Sequence, residues 1–105
     1  RVAIVGIGGL SGSFFRHVID IADAHIANSA EDDWNKRILG LMEAGDIAQL
    51  NQACPEYAAQ ARAEMGFKHI AFTLGGIGGN FAGAKVHHYG PLYGSGGAVV
   101  EFQLT

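Results

Sequence analysis

Cysteine is nearly missing from this chain. Cys54 stands alone among 105 residues, which excludes an internal disulfide framework and matches the reducing environment of a cytoplasm. Followed by Pro55, that thiol reads as a structural residue in a loop rather than as a nucleophile. Basic charge is sparse as well. Seven Lys and Arg stand against ten Asp and Glu for a net charge of −3, and Arg16, Lys36, Arg37, Arg62, Lys68 and Lys85 are scattered. With no basic stripe to displace counterions, a nucleic-acid partner is not expected. No apolar run reaches the length of a membrane span and no secretory leader is visible, so no membrane partner is expected either.

What the chain does have is apolar side chain and glycine. Apolar residues make up 49% and charged residues 16%, a globular composition rather than a disordered one. Sixteen glycines sit in clusters without a collagen period. The length of 105 residues fits one domain. Arg1 leads straight into a strand-like run, and the expectation is a single domain, or a fragment of one, over residues 1–105.

Val2–Ile7 is a short, continuous, β-branched run and predicts a strand buried on both faces. Gly6, Gly8, Gly9 and Gly12 then punctuate a turn where positive φ or close backbone approach is tolerated. Phe14–Ile21 fits a short amphipathic helix and a packed loop equally well. Asn28 or Ser29 caps the next helix, with Glu31, Asp32 and Asp33 at the positive end of its dipole. Trp34, Ile38, Leu41 and Met42 form its apolar stripe, and Gly45 stops it. Asp46 caps a second, short helix through Leu50, and Pro55 opens an alanine-rich helix over 56–64. After Gly66, the residues Phe67, Ile70, Ala71 and Leu74 resume a helical pattern as far as the cluster Gly75–Gly79. Lys85–Tyr89 and Ala98–Leu104 read as strands, joined by a glycine-rich loop from Gly90 to Gly97.

Several chemistries are open to such a chain. A strand followed by Gly6-x-Gly8-Gly9-x-x-Gly12 invites comparison with a dinucleotide-binding turn, yet the third glycine of that motif falls on Ser11. Five histidines, His17, His25, His69, His87 and His88, show no ligand spacing; His87 and His88 are adjacent and would point to opposite faces of a strand. Ser11 and Ser13 do not form a Gly-x-Ser-x-Gly elbow. Residues 31–33 are better explained as a helix N-terminus than as paired catalytic carboxylates.

Four blocks occur in order: Val5-Gly-Ile-Gly-Gly-Leu-Ser11, Leu41-Met-Glu-Ala-Gly-Asp46, Gly75-Gly-Ile-Gly-Gly79, and Tyr89-x-x-x-Tyr93-Gly-Ser-Gly-Gly-Ala-Val-Val-Glu-Phe102. Together they resemble the class III extradiol ring-cleaving dioxygenases, the protocatechuate 4,5-dioxygenase-like superfamily. The likeness covers essentially all 105 residues and implies the C-terminal portion of an α/β domain with a mixed β-sheet flanked by helices. Catalytic members of that family carry a proton-transferring histidine after Gly-Gly-Leu-Ser, where this chain has Gly12. They also supply a carboxylate iron ligand from the helix before the glycine cluster, a position that falls on Gly66. Glu64 is nearby, but two residues along a helix is about 200° of rotation, which aims it elsewhere.

Extradiol cleavage needs Fe(II) held by two histidines and a carboxylate with open positions for substrate and O₂. The resemblance therefore implies a non-catalytic structural subunit, with no catalytic or metal residue within these 105 residues; the family's two iron histidines belong to the N-terminal part that the likeness omits. Ser11, Gly12 and Gly66 would mark a vestigial pocket. Fe(II), and an aromatic substrate with vicinal hydroxyl or amino groups, would be bound by a paralogous catalytic subunit in a hetero-oligomer. Two other readings stand beside it: a catalytic chain with displaced ligands such as Glu64 and His69, and a small-molecule or nucleotide-binding α/β module.

Overall fold

The computed structural model describes all residues from Arg1 to Thr105. Three helices and a two-stranded antiparallel sheet make it a mixed α/β structure: α1 (Ser29–Ala44), α2 (Ile47–Gln60), α3 (Lys68–Gly76), β1 (Gly83–Leu92) and β2 (Ser95–Gln103). Helix α1 packs on α2 along one side and on the hairpin along the other.

The start and stop of α1 are written in its side chains. Asn28 Oδ1 accepts from the Glu31 amide at 2.8 Å, and Asn28 Nδ2 donates to the Glu31 carboxylate at 2.6 Å, so cap and third residue satisfy one another. At the other end Gly45 takes φ +67, and the Asp46 amide reaches back to the Leu41 carbonyl at 3.1 Å. A Cβ at Gly45 would also run into the Ala82 carbonyl. Between these ends Asn35, Ile38, Leu39 and Met42 are buried, and Trp34 and Leu41 are half-buried.

Pro55 does not open a helix. It lies inside α2, which runs unbroken from its Asp46 cap, and Cys54 is therefore helical rather than in a loop. Proline removes one amide and crowds the carbonyl four residues back. Here Pro55 is on the exposed side of α2, where that carbonyl is free to tilt toward water, while Leu50, Ala53 and Tyr57 hold the opposite face in the core. Burial pushes the Cys54 thiol up, in keeping with a structural role.

The hairpin is longer than the sequence pattern indicates, because Leu92 pairs with Ser95 and only Tyr93 and Gly94 turn. Both have positive φ, +55 and +97, the twist that a two-residue hairpin turn requires. A bulge at His87 shifts the register between Val86–Val100 and His88–Val99. The extra residue cancels the alternation expected of His87 and His88: both are exposed, between the half-buried Val86 and Tyr89.

The N-terminal run corrects the expectation most sharply. Val2–Ile7 is not a strand buried on both faces. No residue before Leu10 makes a backbone–backbone hydrogen bond, and Val2, Val5 and Ile7 are 93%, 69% and 81% exposed. Alternate positions touch α3: Ile4 lies on Gly76, Gly6 on Thr73 and Gly8 on the His69 ring. The run has the period of a strand and no neighbour to pair with. Residues 13–20 form no helix either; they lead to a single 3₁₀ turn at Ile21–Asp23 capped by Asp20.

Candidate functional site

Leu10, Ser11 and Gly12 are the point where all parts of the fold meet. The Leu10 amide donates to the Gly96 carbonyl at 2.9 Å, and the Gly96 amide donates back to the Ser11 carbonyl at 3.2 Å. On the other side the Glu64 amide donates to the Leu10 carbonyl at 2.9 Å, and the Gly12 amide to the Ala61 carbonyl at 3.2 Å. These three residues thus tie β2 to the segment that follows α2.

Beneath them is a polar node whose centre, Ser11, Asn35 and Tyr57, is fully buried. Asn35 Oδ1 accepts from the Ser11 amide at 3.1 Å and from the Tyr57 hydroxyl at 2.8 Å. Asn35 Nδ2 donates to the Ser11 hydroxyl at 2.8 Å and to Tyr89 Oη at 3.2 Å. The Ser11 hydroxyl also accepts from the Gly96 amide at 3.1 Å. Tyr89 Oη donates to Asp32 at 2.6 Å, and Asp32 pairs with Lys36 at 2.9 Å. Every polar atom of Asn35 has a partner, the condition under which a buried amide is stabilising. Burial and the Asp32 carboxylate push the Tyr89 hydroxyl up to about 12. The Lys36 and Tyr89 hydrogen bonds hold Asp32 below the usual carboxylate range. Ser11 is a structural hub, with its amide, carbonyl and hydroxyl all engaged.

Gly12 and Gly66 are glycines for different reasons. A Cβ at Gly12 would overlap the Arg62 carbonyl oxygen, so the backbone of residues 61–64 occupies the space of a side chain. Gly66 is exposed, with φ +60, and a Cβ there would meet only Lys68 Cε at 4.0 Å. Met65, Gly66 and Phe67 all have left-handed φ, from 52 to 66, so the chain here is not a regular helix and a helical rotation does not fix where Glu64 points. The Glu64 carboxylate in fact lies against Gly9, and its charge acts on His69.

His69 is the other buried group that sequence reasoning set aside. It is 9% exposed, stacks edge-on against Phe67 and lies under Gly8, and its Nδ1 has no hydrogen-bond partner. Burial pushes its pKa down, opposed by the Glu64 charge and the Gly9 backbone. It looks into a cleft of about 780 Å³ between residues 2–10, α3 and β2.

Nowhere do three His, Cys, Asp or Glu side chains converge in a metal-holding set. His17 and His25 flank the Phe15 ring at 5.7 and 4.8 Å between centroids, and His87 pairs with Glu101 at 2.9 Å. Nor does a helix begin at the first glycine turn to receive a pyrophosphate, which removes the physical basis of a dinucleotide site there. No helix is long and apolar enough to cross a membrane.

Asn35, Tyr57 and Tyr89 were not singled out as a unit from the sequence. The one available signal was a lone amide, Asn35, on the helical face that also carries Ile38 and Met42.

No family model matches the sequence. The chain is 56% identical over 104 residues to the 2-aminophenol 1,6-dioxygenase alpha subunit of a Pseudomonas species, covering 99% of this chain and 38% of that subunit. It is 31% identical over 88 residues to the beta subunit from Pseudomonas, covering 82% of this chain and 28% of that subunit. The chain therefore spans well under half of the length of the relatives it matches, 38% of the alpha and 28% of the beta subunit. Over 99% of its own length it is similar to the 2-aminophenol 1,6-dioxygenase alpha subunit and over 82% to the beta subunit, nearer to the alpha than to the beta.

Proposed function

We propose that this chain belongs to a non-catalytic, structural subunit of a hetero-oligomeric, cytoplasmic extradiol dioxygenase of class III that cleaves 2-aminophenol or a closely related catecholic ring. The catalytic partner is a paralogous subunit, and it holds both the Fe(II) and the aromatic substrate. The likeness to both an alpha and a beta subunit supports a two-subunit assembly.

One observation carries the non-catalytic part. At Gly12, where the resemblance expects the proton-transferring histidine, the Arg62 carbonyl occupies the side-chain space. A histidine would fit only after the 61–64 backbone moved, and that backbone is hydrogen-bonded to Leu10 and Gly12 on both sides. In the family resembled, the two iron histidines belong to the N-terminal part that the likeness omits; the one ligand this stretch would supply is a carboxylate, and at that position Gly66 offers no donor. What Ser11 and Gly12 do instead is hold β2, α1 and the post-α2 segment in one fixed arrangement, as a scaffold requires.

A second reading has a specific observation in its favour: His69 packs on Gly8, Glu64 on Gly9, and the Glu64 charge acts on His69, so two candidate displaced ligands lie near one glycine pair. Iron content separates the two. The full-length subunit, reconstituted anaerobically with Fe(II) and no partner, is expected to retain no stoichiometric metal. Binding of about one iron per chain would overturn the scaffold reading and favour the displaced-ligand one. In a complementary assay, Gly12→His alone is expected to give no ring cleavage, since the carboxylate ligand would still be missing.

A further inference from the structure

Between the glycine turn and α1 the chain leaves the tip of the hairpin and comes back to it. On the way out the Phe15 amide donates to the Tyr93 carbonyl at 2.9 Å, and the Ser13 hydroxyl donates to the buried Glu31 carboxylate at 2.7 Å. On the way back the Ala27 amide donates to the Gly94 carbonyl at 2.8 Å, and Ile26 bridges to Gly94. The two ends are therefore clamped side by side, which is the base of an Ω-loop. The segment between them, Arg16–His25, is held very differently. Apart from bonds within itself, it meets the rest of the chain through one polar group, the Tyr93 hydroxyl. That oxygen accepts from the Ile19 amide at 3.1 Å and donates to the His17 carbonyl at 2.7 Å. No other hydrogen bond or ion pair ties the segment down, and Val18 and Ile21 are 94% and 88% exposed.

Tyrosine is a costly residue for that place in the turn. With φ +55 it occupies a left-handed position that glycine, asparagine or aspartate fills more easily. Glycine would close the hairpin as well; what it could not supply is the hydroxyl. The Tyr93 ring also lies 5.9 Å from the Phe15 ring, whose other neighbours are His17 and His25 of the segment. We propose that Arg16–His25 is a strap and that the Tyr93 hydroxyl is its latch. When the two hydrogen bonds break, the strap swings away about its clamped ends and takes the His17 and His25 rings off Phe15. It moves as one piece, because the 3₁₀ turn at Ile21–Asp23, the Asp20 cap and the His25–Asp23 bond lie wholly inside it. Exposed hydrogen bonds exchange readily with water, so a latch of this kind opens far below the cost of unfolding the hairpin.

The test is limited trypsin digestion of the natural full-length subunit, with Tyr93→Phe beside the parent. Phenylalanine keeps the ring on Phe15 and removes only the latch. Arg16 is the one basic Lys or Arg of the strap, and the bond after it leads into His17, whose carbonyl the latch holds. Cleavage after Arg16 is expected to be at least about 10-fold faster in the variant, since a protease acts on the opened segment. Cleavage after Arg62, outside the strap, is expected to stay at the parent's rate. Hydrogen–deuterium exchange gives a second readout. The Ile19 amide is expected to exchange faster in the variant, with the clamped Phe15 and Ala27 amides unchanged. If either the Arg16 cleavage or the Ile19 exchange is unaltered, the proposal fails, because the segment is then held by something other than the hydroxyl. Acceleration at Arg62, Phe15 or Ala27 as well would also overturn it, since Tyr93 would then support the hairpin as a whole.

Discussion

On either side of Leu10 one glycine-rich stretch behaves in two ways. From Leu10 to Gly12 the backbone is hydrogen-bonded to β2 and to residues 61–64, and Ser11 is anchored in the Asn35 node. From Val2 to Gly9 the chain touches α3 with alternate residues and pairs with nothing. Intrinsic preference would rank them the other way, since the earlier half holds the β-branched residues. The difference is one of partners: a strand is made by its neighbours, and of the two halves only Leu10–Gly12 has backbone partners.

Removing the node is the strongest way to break that contrast. Asn35→Leu deletes an acceptor for the Ser11 amide and Tyr57 hydroxyl and a donor to the Ser11 hydroxyl and Tyr89. With several buried groups left unpaired, the expected loss is about 3 kcal/mol. Urea unfolding followed through the fluorescence of Trp34, the single tryptophan, measures it. A loss below about 1 kcal/mol would mean that Ser11–Gly12 is held by its backbone bonds alone.

A finer comparison sets Gly12 against Gly66. Alanine at Gly12 meets the Arg62 carbonyl oxygen, an overlap that only backbone movement relieves, and is expected to cost about 2 kcal/mol. Alanine at Gly66 meets open space, so only the left-handed φ opposes it, for about 1 kcal/mol. Equal costs would mean that the 61–64 segment yields freely, and a histidine at position 12 would then be less excluded than the geometry indicates.

The α/β class, the capped α1 and its Gly45 stop, the Asp46 cap and both hairpin strands were legible because each is written in local side chains or in periodicity. What was not legible depended on distant partners. Val2–Ile7 carries a strand's composition, but pairing is settled by chain elsewhere. Pro55 reads as a helix start because sequence shows its cost and not the three core contacts that outweigh it. The His87 bulge left no mark, since register is a property of two strands together. At the candidate site, Ser11, Gly12 and Gly66 are singled out by the resemblance alone. The reason Gly12 is a glycine lies in a carbonyl fifty residues on, which no local pattern contains.

The smallest expected effect is a pH dependence from His69, on the loosely held side of the molecule. Burial lowers the folded-state pKa of His69 below its ordinary value near 6.5. As pH falls below about 6.5, the unfolded chain takes up a proton at this position that the folded chain resists, so stability declines through the folded pKa and is unaffected above neutrality. Asp32, whose pKa is depressed below 3.8, contributes in the same direction but in a lower, separate window. His69→Phe keeps an aromatic ring against Phe67 while removing the titration, so its stability is expected to fall less than that of the parent between pH 6.5 and 5. Thermal melts of the two proteins across that range decide the matter. Parallel curves would mean that solvent reaches His69 through the open cleft and that Gly8 does not seal the ring as the static packing indicates.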